Sequence, residues 1–205
     1  MKILNCYGGI GGNRKLWGDE HEITAVEMNP EIANIYKDFF PDDTVIVGDA
    51  HQYLLEHFAE FDFIWSSPPC PSHSQYRQNV GVIGKGFKPL YPDMKLYEEI
   101  ILLKHNFKGD YAVENTVSYY EPLVKPQKIS RHFIWSNMSI PPLELPTTGI
   151  RDKNKISHLE KFLGYDLSGY KIPNKRQILR NCVRSELGLH ILNESKINLQ
   201  PDFFK

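Results

Sequence analysis

The feature that most constrains this chain is a glycine-rich turn set directly after a short apolar run. Lys2–Tyr7 leads into Gly8-Gly9-Ile10-Gly11-Gly12. Glycines in that place let backbone approach a ligand closely and adopt conformations closed to other residues. The spacing is not G-x-G-x-x-G, so a dinucleotide phosphate site is a poor fit. Strand and helix patterns alternate after this turn. Ile23–Glu27 reads as a second strand. Asn29-Pro30-Glu31 is a helix start, with Ile32, Ile35, Tyr36 and Phe39 at helical spacing and Pro41 ending the run. Thr44–Val47 is a third strand, His51–Phe58 a short helix and Phe61–Trp65 a fourth strand before Pro68-Pro69. Residues 71–92 read as a long loop. Leu96, Ile100, Leu103 and Phe107 mark another helix, followed by strands at Tyr111–Val113 and His132–Trp135. This alternation predicts an α/β fold: a mostly parallel sheet with helices on both faces.

The remaining sequence suggests three regions. Residues 1–137 form a core. Residues 138–175, with Pro141, Pro142, Pro146 and Pro173 and helical only around Lys155–Leu163, form a small insert. Residues 176–205, with a last helix near Ser185–Leu192, return to the core.

Charge is split along the chain. Residues 1–70 carry 4 Lys+Arg against 12 Asp+Glu, or −8, whereas residues 71–205 carry 20 against 13, or +7. The stretch 123–184 alone has 12 basic and 4 acidic residues. Blocks of charge are often plain solvated surface; here they suggest a polyanion partner once a second motif points the same way. Cys6, Cys70 and Cys182 form no C-x-x-C pair, and the eight histidines no H-x-x-x-H pair, so neither a metal site nor a disulfide framework is expected. No run approaches the 18 apolar residues of a membrane span. A soluble intracellular protein is the expectation.

Ligands of open α/β sheets sit beyond the C-terminal ends of the strands. Glu27 ends the second strand, where a carboxylate can bind ribose hydroxyls; Asp49 follows the third, within reach of an adenine amino group. Singly, each is a common helix cap; with the glycine turn they outline a nucleoside pocket. The fourth strand delivers Ser67-Pro68-Pro69-Cys70-Pro71-Ser72-His73-Ser74, a stiff loop presenting a thiol among polar residues. The fifth delivers Ala112-Val113-Glu114-Asn115-Thr116. A carboxyl beside a thiol at adjacent strand tips has the makings of a catalytic pair.

The order of these motifs resembles the DNA (cytosine-5) methyltransferases. Asn5-Cys6-Tyr7-Gly8-Gly9-Ile10-Gly11-Gly12 is similar to that family's first motif. Pro-Pro-Cys followed some forty residues later by Val-Glu-Asn is specific in this context. The resemblance extends from residue 5 to about 192, and it implies a Rossmann-like methyltransferase fold with S-adenosyl-L-methionine as cofactor. It places Tyr7, Gly9, Gly11, Gly12, Glu27, Met28, Asp49 and Asn181 at the cofactor. Cys70 becomes the nucleophile, Glu114 the residue holding the target cytosine and Arg131 its support at O2. Gln127 and Arg131 fall on a Gln-x-Arg-x-Arg pattern, and Arg180-Asn181-Cys182-Val183 resembles a closing Gly-Asn-x-Val motif. Ser74, Gln75, Arg77 and Gln78 are expected to contact DNA, a duplex with its cytosine flipped out. The partner is then DNA, with no membrane and no metal. The setting implied is a bacterial or phage-infected cytoplasm, and the role restriction-modification or another form of DNA modification. Departures are Asn5 for Asp, Ile129 for the first Arg, Arg180 for Gly, Pro71 where Gln is common, and a short target-recognition segment. Three rivals stand beside this reading: a tRNA cytosine-5 methyltransferase, an amino-methyltransferase acting on an exocyclic nitrogen, and a catalytically weak DNA- or protein-binding descendant. The amino-methyltransferases carry an aromatic residue where Cys70 stands and have no use for Glu114-Asn115.

Overall fold

The computed structural model describes residues 1–145 and 155–195. Pro146 and part of the expected insert, and residues 196–205 of the expected C-terminal segment, lie outside them. A seven-stranded sheet organises the fold. Its strands are β1 (Lys2–Cys6), β2 (Glu22–Glu27), β3 (Thr44–Val47), β4 (Phe63–Ser66), β5 (Asp110–Thr116), β6 (Gln127–Ile129) and β7 (His132–Ser136). Their order is β3-β2-β1-β4-β5-β7-β6. The first five run parallel, whereas β7 is antiparallel to β5 and β6 is antiparallel to β7. The chain winds outward from β1 in one direction and from β4 in the other, so the crevice at the β1–β4 boundary is the ligand position of such sheets.

The buried strands alternate between two cores, as the pleat requires. Leu4, Ile64 and Val113 face α2 (Ala50–His57) and α3 (Lys95–Asn106), where Leu54, Leu96, Ile100 and Leu103 cover them. Ile3, Phe63, Trp65 and Ile134 face the other way, onto Trp17 and onto Leu187 and Ile191. Each such fully buried side chain contributes about 1.5–3 kcal/mol of hydrophobic stabilisation. A third cluster joins Ile10 and Ile35 to Leu159, Tyr165, Leu167 and Leu179. Ile35 lies on α1 (Pro30–Phe39), whose Asn29 cap accepts from the N–H groups of Glu31 and Ile32 at 2.8 and 3.2 Å. Leu159 and Leu179 lie on α4 (Ile156–Leu163) and α5 (Lys175–Asn181), while Leu187 and Ile191 belong to α6 (Ser185–Asn193).

The structure adds features that the sequence reading did not contain. β6 and α5 appear where no element was expected. The β6–β7 edge is antiparallel. The stretch 71–92 holds a π-helical turn, Arg77–Ile83, closed by a bond from the Arg77 guanidinium to the Lys88 carbonyl at 3.0 Å. Finally, the described part of 138–175 packs onto the core: Lys15 Nζ donates to the carbonyls of Leu163 and Gly164, and the Tyr165 hydroxyl donates to the Gly11 carbonyl at 2.8 Å. No helix among the described residues is long and apolar enough to cross a membrane.

Candidate active site

The turn after β1 is a strained piece of backbone held from several sides. Tyr7, Gly9 and Gly11 all have positive φ, at 59°, 55° and 83°. For Tyr7, a side-chain residue, this costs about 1–2 kcal/mol, so surrounding contacts must offset it. The Tyr7 hydroxyl donates to Glu99 at 2.7 Å, and Gly8 N–H to the Val26 carbonyl at 3.0 Å. The three glycines named for the cofactor have different surroundings. Gly9 opens onto free space, with nothing within 4 Å of where a Cβ would sit. A Cβ on Gly11 would strike the Phe40 ring, and one on Gly12 would lie 2.5 Å from the Val183 carbonyl.

Glu27 binds the turn to the tip of β2. One carboxylate oxygen accepts from Gly9 N–H at 3.0 Å and the other from Asn29 N–H at 2.9 Å. Beside it Met28 is 64% exposed, and Val47 at the end of β3 is also exposed. Asp49 caps α2 by accepting from His51 N–H at 2.9 Å and pairs with Lys95 at 3.6 Å. Burial raises its pKa, but the cap bond and Lys95 outweigh that and hold it below the ordinary value. Tyr7, Gly9, Glu27, Met28 and Asp49 therefore gather at the tips of β1–β3. Asn181 is exposed at the end of α5, where its side chain accepts from Gln177 at 2.6 Å, and the next two residues, Cys182 and Val183, pack against Gly12 of the glycine turn.

Cys70 sits exposed on the loop after β4. Its carbonyl accepts from the N–H groups of His73 and Ser74, both at 3.0 Å, forming a tight turn. The loop is fastened to β5 through Asn115, whose amide donates to the Pro68 carbonyl at 3.0 Å, and through a bridge between Ser74 and Ser118. His73 is buried and pairs with the Tyr120 hydroxyl at 2.6 Å, which makes it an anchor of this loop. Ser74 Oγ accepts from Arg77 N–H, and Gln75 N–H donates to the Val117 carbonyl. The Gln75 side chain is exposed and that of Gln78 half-buried.

Glu114 is buried at the tip of β5, next to the Cys70 strand. Although Cys70 is exposed as a residue, protein crowds its sulfur. That desolvation, and after it the Glu114 carboxylate, raises the thiol above its ordinary pKa. The guanidinium of Arg131 lies close enough to feel the same carboxylate, but burial is the larger effect and lowers its pKa. Cys70, Glu114 and Arg131 are thus one electrostatic group. His132 Nδ1 meets Glu114 Oε1 at 2.5 Å. Sequence reading missed this histidine, although β7 places it and Ile134 on the face that Glu114 shares.

A second unforeseen residue is Glu99, only 1% exposed on α3. Its carboxylate accepts from the Tyr7 hydroxyl at 2.7 Å and the Ser66 hydroxyl at 2.5 Å, and meets His51 Nδ1 at 2.9 Å. It ties together the ends of β1 and β4 and the start of α2. Among the described residues no group of three or more His, Cys, Asp or Glu is placed to hold a metal ion.

Residues 1–94 match the family model of C-5 cytosine-specific DNA methylases. That match covers the first 94 of the 205 residues and is a similarity of this stretch to that family. The matched stretch carries the glycine turn, Glu27, Asp49 and Cys70, while Glu114, Arg131 and Asn181 lie beyond it. The Entamoeba histolytica methyltransferase EhMeth superposes with a TM-score of 0.58 over 98% of this chain and 99% of its own, at 10% identity. At that identity the likeness is one of fold alone, the Rossmann-like fold of methyltransferases. A Spodoptera frugiperda DNMT2 variant covers 56% of this chain and 35% of its own, at 26% identity and a TM-score of 0.38. A search of curated proteins finds no match.

Proposed function

We propose that this protein transfers a methyl group from S-adenosylmethionine to C5 of a cytosine flipped out of duplex DNA, through a covalent bond between Cys70 and C6. The observation that carries the reading is the pairing of Cys70 with Glu114 at neighbouring parallel strand tips, linked by the Asn115–Pro68 bond. The strand tips suit the cofactor. Gly9 leaves room at its backbone, Met28 and Val47 offer exposed apolar surface, and Glu27 and Asp49 supply carboxylates beside it. When bound there, the cofactor supplies an electrophilic methyl on a sulfonium.

Cytosine C5 is a poor nucleophile until something adds at C6. The Cys70 thiolate makes that addition: the S–C6 bond forms and the C5=C6 electron pair moves toward C5. Glu114 bonds N3 and the exocyclic amine, countering charge that grows on the ring, and Arg131 supports O2. After C5 has taken the methyl, its proton leaves to a base and the S–C6 bond breaks, restoring C5=C6 and the thiolate. Extruding the base costs a few kcal/mol, offset by these pocket contacts. Ser74, Gln75, Arg77 and Gln78 lie on the loop beside the thiol and would meet the opened strand.

The test is incubation with tritiated S-adenosylmethionine and duplex DNA, single-stranded DNA or tRNA, followed by identification of the labelled base. Label at cytosine C5 of DNA is expected. Label on C5 of a tRNA cytosine would move the same chemistry to RNA, and label on an exocyclic nitrogen would overturn the mechanism. Cys70→Ala should abolish transfer while cofactor binding persists. DNA carrying 5-fluorocytosine should trap a covalent adduct on Cys70, because fluorine cannot leave as a proton does.

A further inference from the structure

We infer that Arg180, together with Arg131 and Arg184, forms a seat for a phosphodiester of the nucleic-acid substrate, beside the pocket for the target base. This rests on the proposed action on a nucleic acid. The three arginines come from separate elements, the β6–β7 turn, the end of α5 and the segment before α6, yet they line one narrow cleft with Phe162 of α4. Arg184 is fixed in place: its guanidinium stacks 5.0 Å above the Phe162 ring and holds Glu186 with two hydrogen bonds. Arg180 is exposed at the end of α5, and among the described residues neither it nor Arg131 has a carboxylate within ion-pair distance.

Like charges gathered in one cleft repel, and both neighbours act to lower the Arg131 pKa. An anion relieves that repulsion, and a guanidinium fork matches two oxygens of a phosphodiester. Among the described residues Glu114, bonded to His132, is the carboxylate whose charge reaches Arg131. Around the cleft, residues 155–184 carry 7 Lys+Arg against 2 Asp+Glu, so the local field favours a polyanion. Arg131 links this cleft to Glu114, whose carboxylate it feels, so an anion seated here would lie on the side of the proposed base pocket that Arg131 lines.

The experiment uses the full chain and a labelled duplex with one cytosine opposite an abasic site, which lowers the cost of extrusion. Binding is followed by anisotropy across a salt series. Arg180→Ala should weaken binding several-fold and reduce the slope of log affinity against log salt by about 1. Arg180→Lys should restore most of the slope, and S-adenosylhomocysteine affinity should not change in either variant. Replacing the phosphate beside the cytosine with an uncharged methylphosphonate should cost wild type as much as Arg180→Ala does, and cost Arg180→Ala nothing further. An unchanged slope, fully additive losses, or no binding of the duplex by wild type would each overturn the seat. Binding is read without turnover. A protein that passes these tests but leaves cytosine unmethylated retains the seat and refutes the enzymatic reading.

Discussion

Cys70 is poised against its own chemistry. Protein around the sulfur and the Glu114 carboxylate both oppose the thiolate, so at neutral pH the ionised fraction is smaller than for a free cysteine. In the proposed reaction a pyrimidine in the pocket would change this: with Glu114 bonded to the ring, its charge would be shared and its opposition to the thiolate would fall. On that proposal activation would wait for the substrate, which would protect the thiol from other electrophiles. Iodoacetamide alkylation of Cys70 should therefore rise with pH around a midpoint above the ordinary ~8.5. Glu114→Gln should move that midpoint down yet leave it above the free value, because burial is the larger cause. A midpoint unmoved by the substitution would show that the two groups are not coupled. On the cofactor side, Glu99 bears the comparable burden, since one carboxylate serves Tyr7, His51 and Ser66. Gln at position 99 has a single acceptor oxygen and no charge. Glu99→Gln should weaken S-adenosylhomocysteine binding about tenfold, or about 1.4 kcal/mol, by calorimetry. The same bond, ahead of burial, raises His51, which also faces Glu98 and Lys95. A raised histidine adds stability that is complete below its unfolded pKa of ~6.5 and lost as pH climbs through its folded value. The melting-temperature advantage of wild type over His51→Gln should accordingly shrink as pH rises through that window.

The turn after β1 shows how one loop serves two masters, the ligand and the fold. Gly12 supports the fold: an added methyl would meet the Val183 backbone and Cys182, neither of which can swing aside. Gly12→Ala should cost about 1–3 kcal/mol in denaturant unfolding. Gly9→Ala meets open space and bears only the left-handed backbone penalty of about 1–2 kcal/mol, with a methyl intruding where the cofactor is proposed to lie. Its main effect should be on cofactor affinity. What the sequence made legible follows the same physics. Elements with strong periodicity stood out: β3 was expected at Thr44–Val47 and α1 from its Asn29 cap, and both are there. The order of strand tips brought Glu27, Asp49, Cys70 and Glu114 to one edge of the sheet. β6 was illegible because it is three residues long with Lys128 at its centre. α5 begins at Asn174 with no side-chain cap and a basic first turn, so no start signal marks it. Asn181 was assigned by motif alone; it is exposed and bonded to Gln177, next to the Cys182–Val183 backbone that packs on Gly12. Glu99 could have been found: it is three residues after Leu96 and four before Leu103, on the apolar stripe of α3, where an acidic residue demands a reason.

Across the whole molecule the charge split becomes spatial. The acidic segment 1–70 supplies β1–β4 and the carboxylates at the proposed cofactor pocket, and the basic segment supplies α4, α5 and the arginine cleft. The two are not separate bodies. Lys15 and Tyr165 join the turn after β1 to the residues around α4, so the acidic segment's glycine loop and the basic helices share one core. The two binding events should then differ in their response to ionic strength. A cofactor that carries little net charge, seated as proposed against apolar surface at the strand tips, gains little from a long-range field, which is screened over about 10 Å at ~0.1 M salt. DNA gains much, because each neutralised phosphate releases a counterion. Raising salt from ~50 to ~200 mM should leave S-adenosylhomocysteine affinity nearly constant, while duplex affinity falls by one or more orders of magnitude. Calorimetry for the first and anisotropy for the second measure both on one preparation. If duplex affinity were as indifferent to salt as cofactor affinity, the basic half would be ordinary solvated surface, and the polyanion would have to be abandoned as the partner this charge distribution serves.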